Sequence, residues 1–306
     1  MGRLNFSTCY RKAQNQVHRF YNCLPIRHSF IPVIKKIPIL YFILSRIFRL
    51  LKGFSNLIGL SIEGIYSRLY WPGLIRELTP YDSDEFKDKI RLGNPFDGGY
   101  VVPSEIFSFI EVSYTYGVST DISFELDMLK QKDILIRLYD HTVPTLPEQN
   151  QKLFFKQQGI APSKYGPFDT FKNHLNQNGD SEKKIFLKMD IEGAEWDTIG
   201  QISDEFSKNI VAIVLEIHWL ERIEELKNYL KTLEKINSKF TLIHIHGNNL
   251  SAVVHFGKKI IPEVCELTFI NSSLIKSKNV MTAELPTKLD FPNDPLKKDI
   301  PLNFWR

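Results

Sequence analysis

Phe240-Thr-Leu-Ile-His-Ile-His246 and Cys265-Glu-Leu-Thr-Phe-Ile270 are the stretches whose reading decides the fold. Both are short and rich in β-branched and aromatic residues, which suits strands. The linker between them holds Gly247-Asn248-Asn249 and Gly257 and carries no long helical pattern, so the two strands can pair antiparallel. Upstream, from about residue 110, short apolar runs alternate with helical patterns, as in a parallel α/β sheet. Glu111–Tyr116, Ile134–Tyr139, Lys184–Met189 and Ile210–Ile217 read as its strands, several of them continuously apolar and so buried on both faces. Helices are expected at Phe124–Gln131, Leu146–Gln158, Phe168–Asn176 and Leu220–Ile236, and a weakly marked strand near 160–166. The tail from Pro286 to Arg306, with Pro286, Pro292, Pro295 and Pro301, reads as an extended, turn-rich strap.

A sheet that begins β-α-β and closes on an antiparallel pair is the plan of Rossmann-like methyltransferases, whereas a dinucleotide dehydrogenase ends differently. The expected architecture is therefore α/β: a Rossmann-like class I methyltransferase sheet, mostly parallel with an antiparallel final strand, over residues 76–306. Residues 1–75 form a basic N-terminal arm with a helical extension. Fold analogy alone sets only a prior on function.

Composition and charge narrow the classes. Of 306 residues, 43% are hydrophobic and 24% charged, the profile of a soluble globular chain. The three cysteines, Cys9, Cys23 and Cys265, form no disulfide framework and no CxxC pair, so a reducing, cytoplasmic setting is the default. The net charge of +4 hides an asymmetry. Ten Lys and Arg precede the first acid, Glu63, so the body carries a net −6. An acidic body is no nucleic-acid surface, and no nucleic-acid partner is expected.

The arm reads as neither a span nor a secretory leader. Its longest apolar run, Ile37-Pro-Ile-Leu-Tyr-Phe-Ile-Leu44, is followed at once by Arg46, Arg49 and Lys52, well short of the ~20 residues a spanning helix needs. No apolar core sits near residue 10, and residue 6 is Phe rather than the Ser or Thr of a myristoylation motif. After Pro38, residues 39–60 can form a helix with its basic residues on one side and Leu44, Phe48 and Leu51 on the other. Such a helix suits an anionic membrane surface, contacted through residues 35–60; packing on the body or on a partner protein is the competing reading.

Ligands of open α/β sheets bind beyond the carboxyl ends of the strands. The first strand ends in Tyr116-Gly117-Val118-Ser119-Thr120-Asp121, where Gly117 lets the chain approach a ligand. No G-x-G-x-x-G follows, which disfavours dinucleotide pyrophosphate binding. The second strand ends in Tyr139-Asp140-His141, and an acid at that place is the usual acceptor for ribose hydroxyls. Most specific is Phe186-Leu-Lys188-Met-Asp190-Ile-Glu192-Gly193-Ala-Glu195-Trp196, a buried strand running into three carboxylates around one glycine. Asp190 reaches the site in this reading, while Glu195 serves mainly the first turn of the next helix.

Leu187-Lys188-Met-Asp190-Ile-Glu192-Gly193-Ala-Glu195 resembles the signature of the FkbM-type S-adenosylmethionine-dependent methyltransferases, and more closely the branch related to animal methyltransferase-like protein 24. Arg91-Leu-Gly-Asn-Pro-Phe-Asp97-Gly98-Gly99-Tyr100, Ser123-Phe124-Glu125, Leu215-Glu216-Ile-His218-Trp219, His244-Ile-His246-Gly247-Asn248-Asn249 and Asp290-Phe-Pro292-Asn293-Asp-Pro295 support the likeness, which spans about residues 85–295. The resemblance implies S-adenosylmethionine as cofactor and methyl transfer to a hydroxyl oxygen. It implies that Asp97, Gly98 and Gly99 line the cofactor entrance, that Tyr116 and Gly117 contact the methionine end, that Asp140 binds the ribose, and that Asp190 stands between sulfonium and acceptor. The first loop departs from the family in having Gly117 without a fuller glycine-rich pattern.

A sugar-like hydroxyl needs a base or a metal to become a good nucleophile. The strand ends offer Asp190, Glu216, His218, His244 and His246; the catalytic set expected is Asp190, His218 and His246. No ligand spacing demands a metal, so none is assigned, although Asp190, Glu216 and a His could hold a divalent ion. The reading that results is a methyltransferase acting on a hydroxyl of a glycan, glycolipid or related small molecule, cytoplasmic and peripheral to a membrane. A membrane-associated interaction protein with a decayed methyltransferase fold is the non-enzymatic alternative, and a nicotinamide oxidoreductase the less favoured enzymatic one.

Overall fold

The computed structural model describes residues 62–202 and 204–306. The basic helix expected at 39–60 and nearly all of the arm lie outside them. Two compact units are distinguished: among the described residues the first comprises 62–71 and Arg222–Lys227, and the second Pro72–Glu221 with Asn228–Arg306. Every residue of the sheet and of the site belongs to the second. Helix α1 is Ile62–Glu77. Among the described residues no helix is long and apolar enough to cross a membrane.

Seven strands build the central sheet: β1 Val112–Tyr116, β2 Leu135–Tyr139, β3 Leu153–Lys156, β4 Ile185–Met189, β5 Ile210–Ile217, β6 Phe240–Gly247 and β7 Cys265–Asn271. Their spatial order is β3-β2-β1-β4-β5-β7-β6. Strands β1 to β5 pair in parallel, and β7 runs antiparallel to both β5 and β6. This is the Rossmann-like sheet with a reversed last strand that the sequence leads one to expect. The middle strands β1, β4 and β5 are buried along their whole length; β4 and β5 are accordingly apolar apart from Lys188 and Glu216, while β1 alternates its tyrosines with buried Ser113 and Thr115.

Helix α2, Ser123–Gln131, packs one face of the sheet with Phe124 and Met128, which join Ile136, Leu138, Phe186 and Val214 in one apolar cluster. Each such fully buried side chain is worth ~1.5–3 kcal/mol. Tyr114, Tyr116 and Tyr139 form an aromatic stack with Phe171 and His174 of α3, Phe171–Asn178. Helix α4 is Glu195–Gln201, and α5 is Leu226–Asn237 after a 3-10 turn at Ile223–Glu225.

One expected helix is corrected. Leu146–Gln158 holds no helix; its second half is the edge strand β3, paired with β2 from Ile136↔Leu153 to Tyr139↔Lys156. Leu146, Leu153 and Phe154 mimic a helical spacing, but the ladder offered by β2 decides. Exposed Phe154 lies under the Arg137 guanidinium, 4.9 Å from ring centroid to Cζ, which shields the edge. The strand expected near 160–166 is a two-residue pairing of Gly159–Ile160 with Phe168–Asp169, so α3 starts at Phe171 rather than Phe168.

Candidate functional site

The carboxyl ends of β1, β2 and β4 are latched together by main chain. Asp190 N–H donates to Tyr116 O (3.0 Å) and Gly117 N–H to Tyr139 O (3.1 Å). Gly117 has φ +78, and a Cβ there would run into the Asp190 carbonyl oxygen. Only glycine fits this close crossing. The turn that follows leads to Asp121, whose Oδ1 accepts from Ser123 N–H (2.9 Å) at the start of α2.

Asp140 stands at the end of β2 and is 6% exposed. Its Oδ2 accepts from Ser119 N–H (2.8 Å), and its Oδ1 from Thr142 N–H (2.7 Å) and Oγ1 (2.6 Å). Burial pushes this carboxyl up, but the hydrogen bonds from Thr142 and Ser119 together win and hold it below the usual carboxylate range. Asp140 therefore staples the β1 loop to the β2 loop, and with about four acceptor positions on a carboxylate, roughly one remains for a ligand.

The Asp97-Gly98-Gly99 loop comes to the same place. Arg91 closes it by donating to Asn94 O (3.0 Å) and Phe96 O (2.7 Å), and Asn94 Nδ2 donates to Asp121 Oδ2 (2.6 Å). Gly98 lies against the Asp121 carboxylate and Gly99 against the Arg91 guanidinium. Asp97 is exposed and accepts from Asn293 Nδ2 (3.0 Å) of the C-terminal strap. Tyr116 is a correction. Its ring is buried in the α3 stack and its hydroxyl meets His174 Nδ1 (3.0 Å), so the side chain is packing, and only its backbone stands at the site.

Across the other half of the sheet a row of ionisable groups shares one face. Glu216 on β5 stands opposite Glu266 on β7, and Glu266 opposite His246 on β6. Tyr100 Oη lies 3.1 Å from Asp190 Oδ2 and 3.2 Å from Glu216 Oε2, while Asn248 Nδ2 donates to Glu216 Oε1 (2.8 Å). Burial first, then the charges of Asp190 and Glu266, push the Glu216 carboxyl well above the carboxylate range. A phenol carries one proton. With Glu216 protonated, Tyr100 donates to Asp190 and Glu216 donates to the phenol oxygen. Lys188 Nζ sits 5.1 Å from the centroid of the Tyr100 ring and 4.0 Å from Glu125 Oε1, a buried pair beneath this network.

His246 is a second correction. Its Nδ1 meets Glu266 Oε2 (3.0 Å) and its Nε2 meets both Asp299 oxygens (3.1 Å each). Burial pulls the imidazole down, but Asp299 and Glu266 together raise it to about 10. It is a structural imidazolium, with no free lone pair to act as a base. His244 is held through one nitrogen only: its Nε2 lies 2.8 Å from Asp290 Oδ1 of the strap, while its buried Nδ1 has no hydrogen-bond partner among the described residues.

No protein-family model matches the chain, and no curated protein matches it. Among solved structures it is similar to precorrin-6y C5,15-methyltransferase from Geobacter metallireducens GS-15, at 11% identity and a TM-score of 0.29, over 53% of this chain and 82% of that one.

His218, just past β5, faces the β4–α4 turn. Its Nδ1 is 3.3 Å from Glu195 Oε1 and its Nε2 is 3.6 Å from Glu192 Oε2. Burial lowers its affinity for a proton, yet Glu195, then Asp190 and Glu192, raise it above the ordinary histidine value. Glu195 is fully buried and accepts from Ile191 N–H (2.7 Å) and Gly193 N–H (2.8 Å), so it clamps the turn as the sequence suggests. The structure thus brings Asp190 and His218 together and leaves His246 in an ion pair of its own. Tyr100 is the site residue that sequence reasoning passes over; its place directly after Asp97-Gly98-Gly99, at the start of an inward-facing strand, was the available signal.

Proposed function

We propose that the protein is an S-adenosylmethionine-dependent methyltransferase of the FkbM type that methylates a hydroxyl oxygen of a glycan, glycolipid or related metabolite. The observation that carries the reading is the sheet order β3-β2-β1-β4-β5-β7-β6 with only β7 reversed, and with the Gly117 turn and the Tyr100–Asp190–Glu216 network side by side at its carboxyl ends. The residues there suit the cofactor: the Gly117–Ser119 backbone, the Asp97–Gly99 loop, and the remaining acceptor position of Asp140 for a ribose hydroxyl. When bound, S-adenosylmethionine supplies a methyl group on a positively charged sulfur.

The chain's own part is to place the acceptor and take its proton. Asp190, oriented by Tyr100, is the group positioned to remove that proton as the oxygen gains its methyl group. Protonated Glu216 keeps a second negative charge away from Asp190 and offers hydrogen bonds instead. The arm, taken as residues 1–75, holds the enzyme on the cytoplasmic face of an anionic membrane through residues 35–60, and residues 76–306 form the catalytic domain.

Thermal-shift titration with S-adenosylhomocysteine tests the reading, with NAD as control. Ligand at 100 times its dissociation constant adds ~2.7 kcal/mol, a clear rise in Tm. A folded protein that shifts with neither ligand supports the decayed, non-catalytic alternative, and a shift with NAD alone supports an oxidoreductase.

A further inference from the structure

The turn between β4 and α4 faces the end of β5 so that Glu192 and His218, which lie outside the Tyr100 network, stand beside Asp190, which belongs to it. Asp190, Glu192 and His218 each offer one ligand atom, and these atoms lie within 4.8 Å of one another. The set is mixed rather than merely acidic. His218 is 8% exposed, whereas the Glu192 side chain is 89% exposed, so the three straddle the boundary between protein and solvent.

His218 is held as metal-ligating histidines are held. Its Nδ1 has no hydrogen-bond partner other than the approach to Glu195 Oε1 at 3.3 Å. Glu195 is itself fixed by two backbone N–H groups. A carboxylate behind one ring nitrogen keeps the proton there and turns the other lone pair outward. That other nitrogen, Nε2, receives no hydrogen bond among the described residues and lies 3.6 Å from Glu192 Oε2. The turn is built to keep this geometry. Glu192 has φ +57 and Trp219 has φ +68, both left-handed without being glycine. The Trp219 ring packs so closely on Gly193 that a Cβ there would overlap it.

We propose that Asp190, Glu192 and His218 form a site for a divalent first-row cation of the Mn²⁺ class. Two carboxylates and one imidazole suit a hard-to-borderline ion, and three protein ligands on one side leave positions open. The role of the ion rests on the methyltransferase reading: it would hold the acceptor hydroxyl beside Asp190 and favour acceptors with a second oxygen in reach.

The test titrates Mn²⁺ into the full chain and follows the free-ion signal by electron paramagnetic resonance. One Mn²⁺ per chain is expected, with Glu192→Gln and His218→Gln each weakening binding by ~10- to 100-fold. Glu192 is exposed, so its variant keeps the fold, which circular dichroism verifies. No stoichiometric binding at millimolar Mn²⁺, or wild-type affinity in both variants, overturns the site. S-adenosylhomocysteine binding, measured separately on the same samples, keeps the two ideas apart. Mn²⁺ bound and weakened by the variants without S-adenosylhomocysteine binding upholds the cation site and removes the methyltransferase reading. The reverse pattern removes the cation site alone.

Discussion

Replacing His246 by Gln gives a prediction with a definite sign in pH. The imidazole is buried between Glu266 and Asp299 and titrates at about 10 in the folded chain. Unfolded, it titrates near ~6.5. A raised value means the folded state binds the proton more tightly, so the stabilisation is fully present below ~6.5 and is lost as pH rises through about 10. At ~1.4 kcal/mol per pH unit the ceiling is ~5 kcal/mol. Asp299 keeps 15% of its side chain in solvent, which screens its share, and brings the expectation to ~3 kcal/mol. The assay is urea denaturation of wild type and His246→Gln at about pH 6.5, 8 and 9.5. The variant should be less stable at the lowest pH, and the gap should close with rising pH at up to ~1.4 kcal/mol per unit. Groups remote from His246 titrate alike in both proteins and cancel in the difference, whereas Glu266 and Asp299 lose their partner and belong to the measured effect. A gap that stays constant with pH would refute a charged His246 and restore it as a candidate base.

Four further outcomes are expected, three from the geometry of the site and one from the sequence of the arm. Gly117→Ala should cost ~2–4 kcal/mol of stability, combining a left-handed backbone with overlap on the Asp190 carbonyl, as read by chemical denaturation; a change below ~1 kcal/mol would show that the crossing can relax. Asp140→Ala should lower both S-adenosylhomocysteine affinity and stability by ~1–3 kcal/mol, because the carboxylate already holds Ser119 and Thr142; unaltered affinity in calorimetry would move the ribose site elsewhere. Asp190→Asn should cut turnover ~10²- to 10⁴-fold while S-adenosylhomocysteine still binds, and near-normal turnover on the true acceptor would displace Asp190 as the base. Replacing Arg46, Arg49 and Lys52 together by Glu should release the protein from anionic vesicles in flotation, each basic residue contributing ~1 kcal/mol at such a surface; intact protein that floats with no vesicle would remove the membrane role.

The sheet was legible because its central strands are buried on both faces, so Ile210–Leu215 and Ile185–Leu187 stand out as apolar runs. The reversed β7 could be inferred from the missing helix between His246 and Cys265. Edge strand β3 was not, since its pairing with β2 is a tertiary fact and its apolar residues fit a helix equally well. In the site, strand ends located Asp140 and Asp190, because topology puts ligands there. Tyr116 stands at a strand end too, but its side chain shares a face with Tyr114 on the side packed by α3, which no local pattern encodes. The state of His246 depends on Asp299, which is brought over it by the strap, and no local pattern encodes that contact. The upward shift of the Glu216 carboxyl has the same kind of origin: burial in the sheet comes first, and the charges of Asp190 and Glu266 reach it from the end of β4 and from β7.

The central claim concerns where a ligand sits, so a crystal structure of the full chain with S-adenosylhomocysteine tests it most directly. The ligand is expected at the carboxyl ends of β1 and β2, its ribose on Asp140, its sulfur facing Asp190, and the Asp97–Gly99 loop beside it. Crystals grown with saturating ligand that hold it anywhere else, or not at all, would contradict the account.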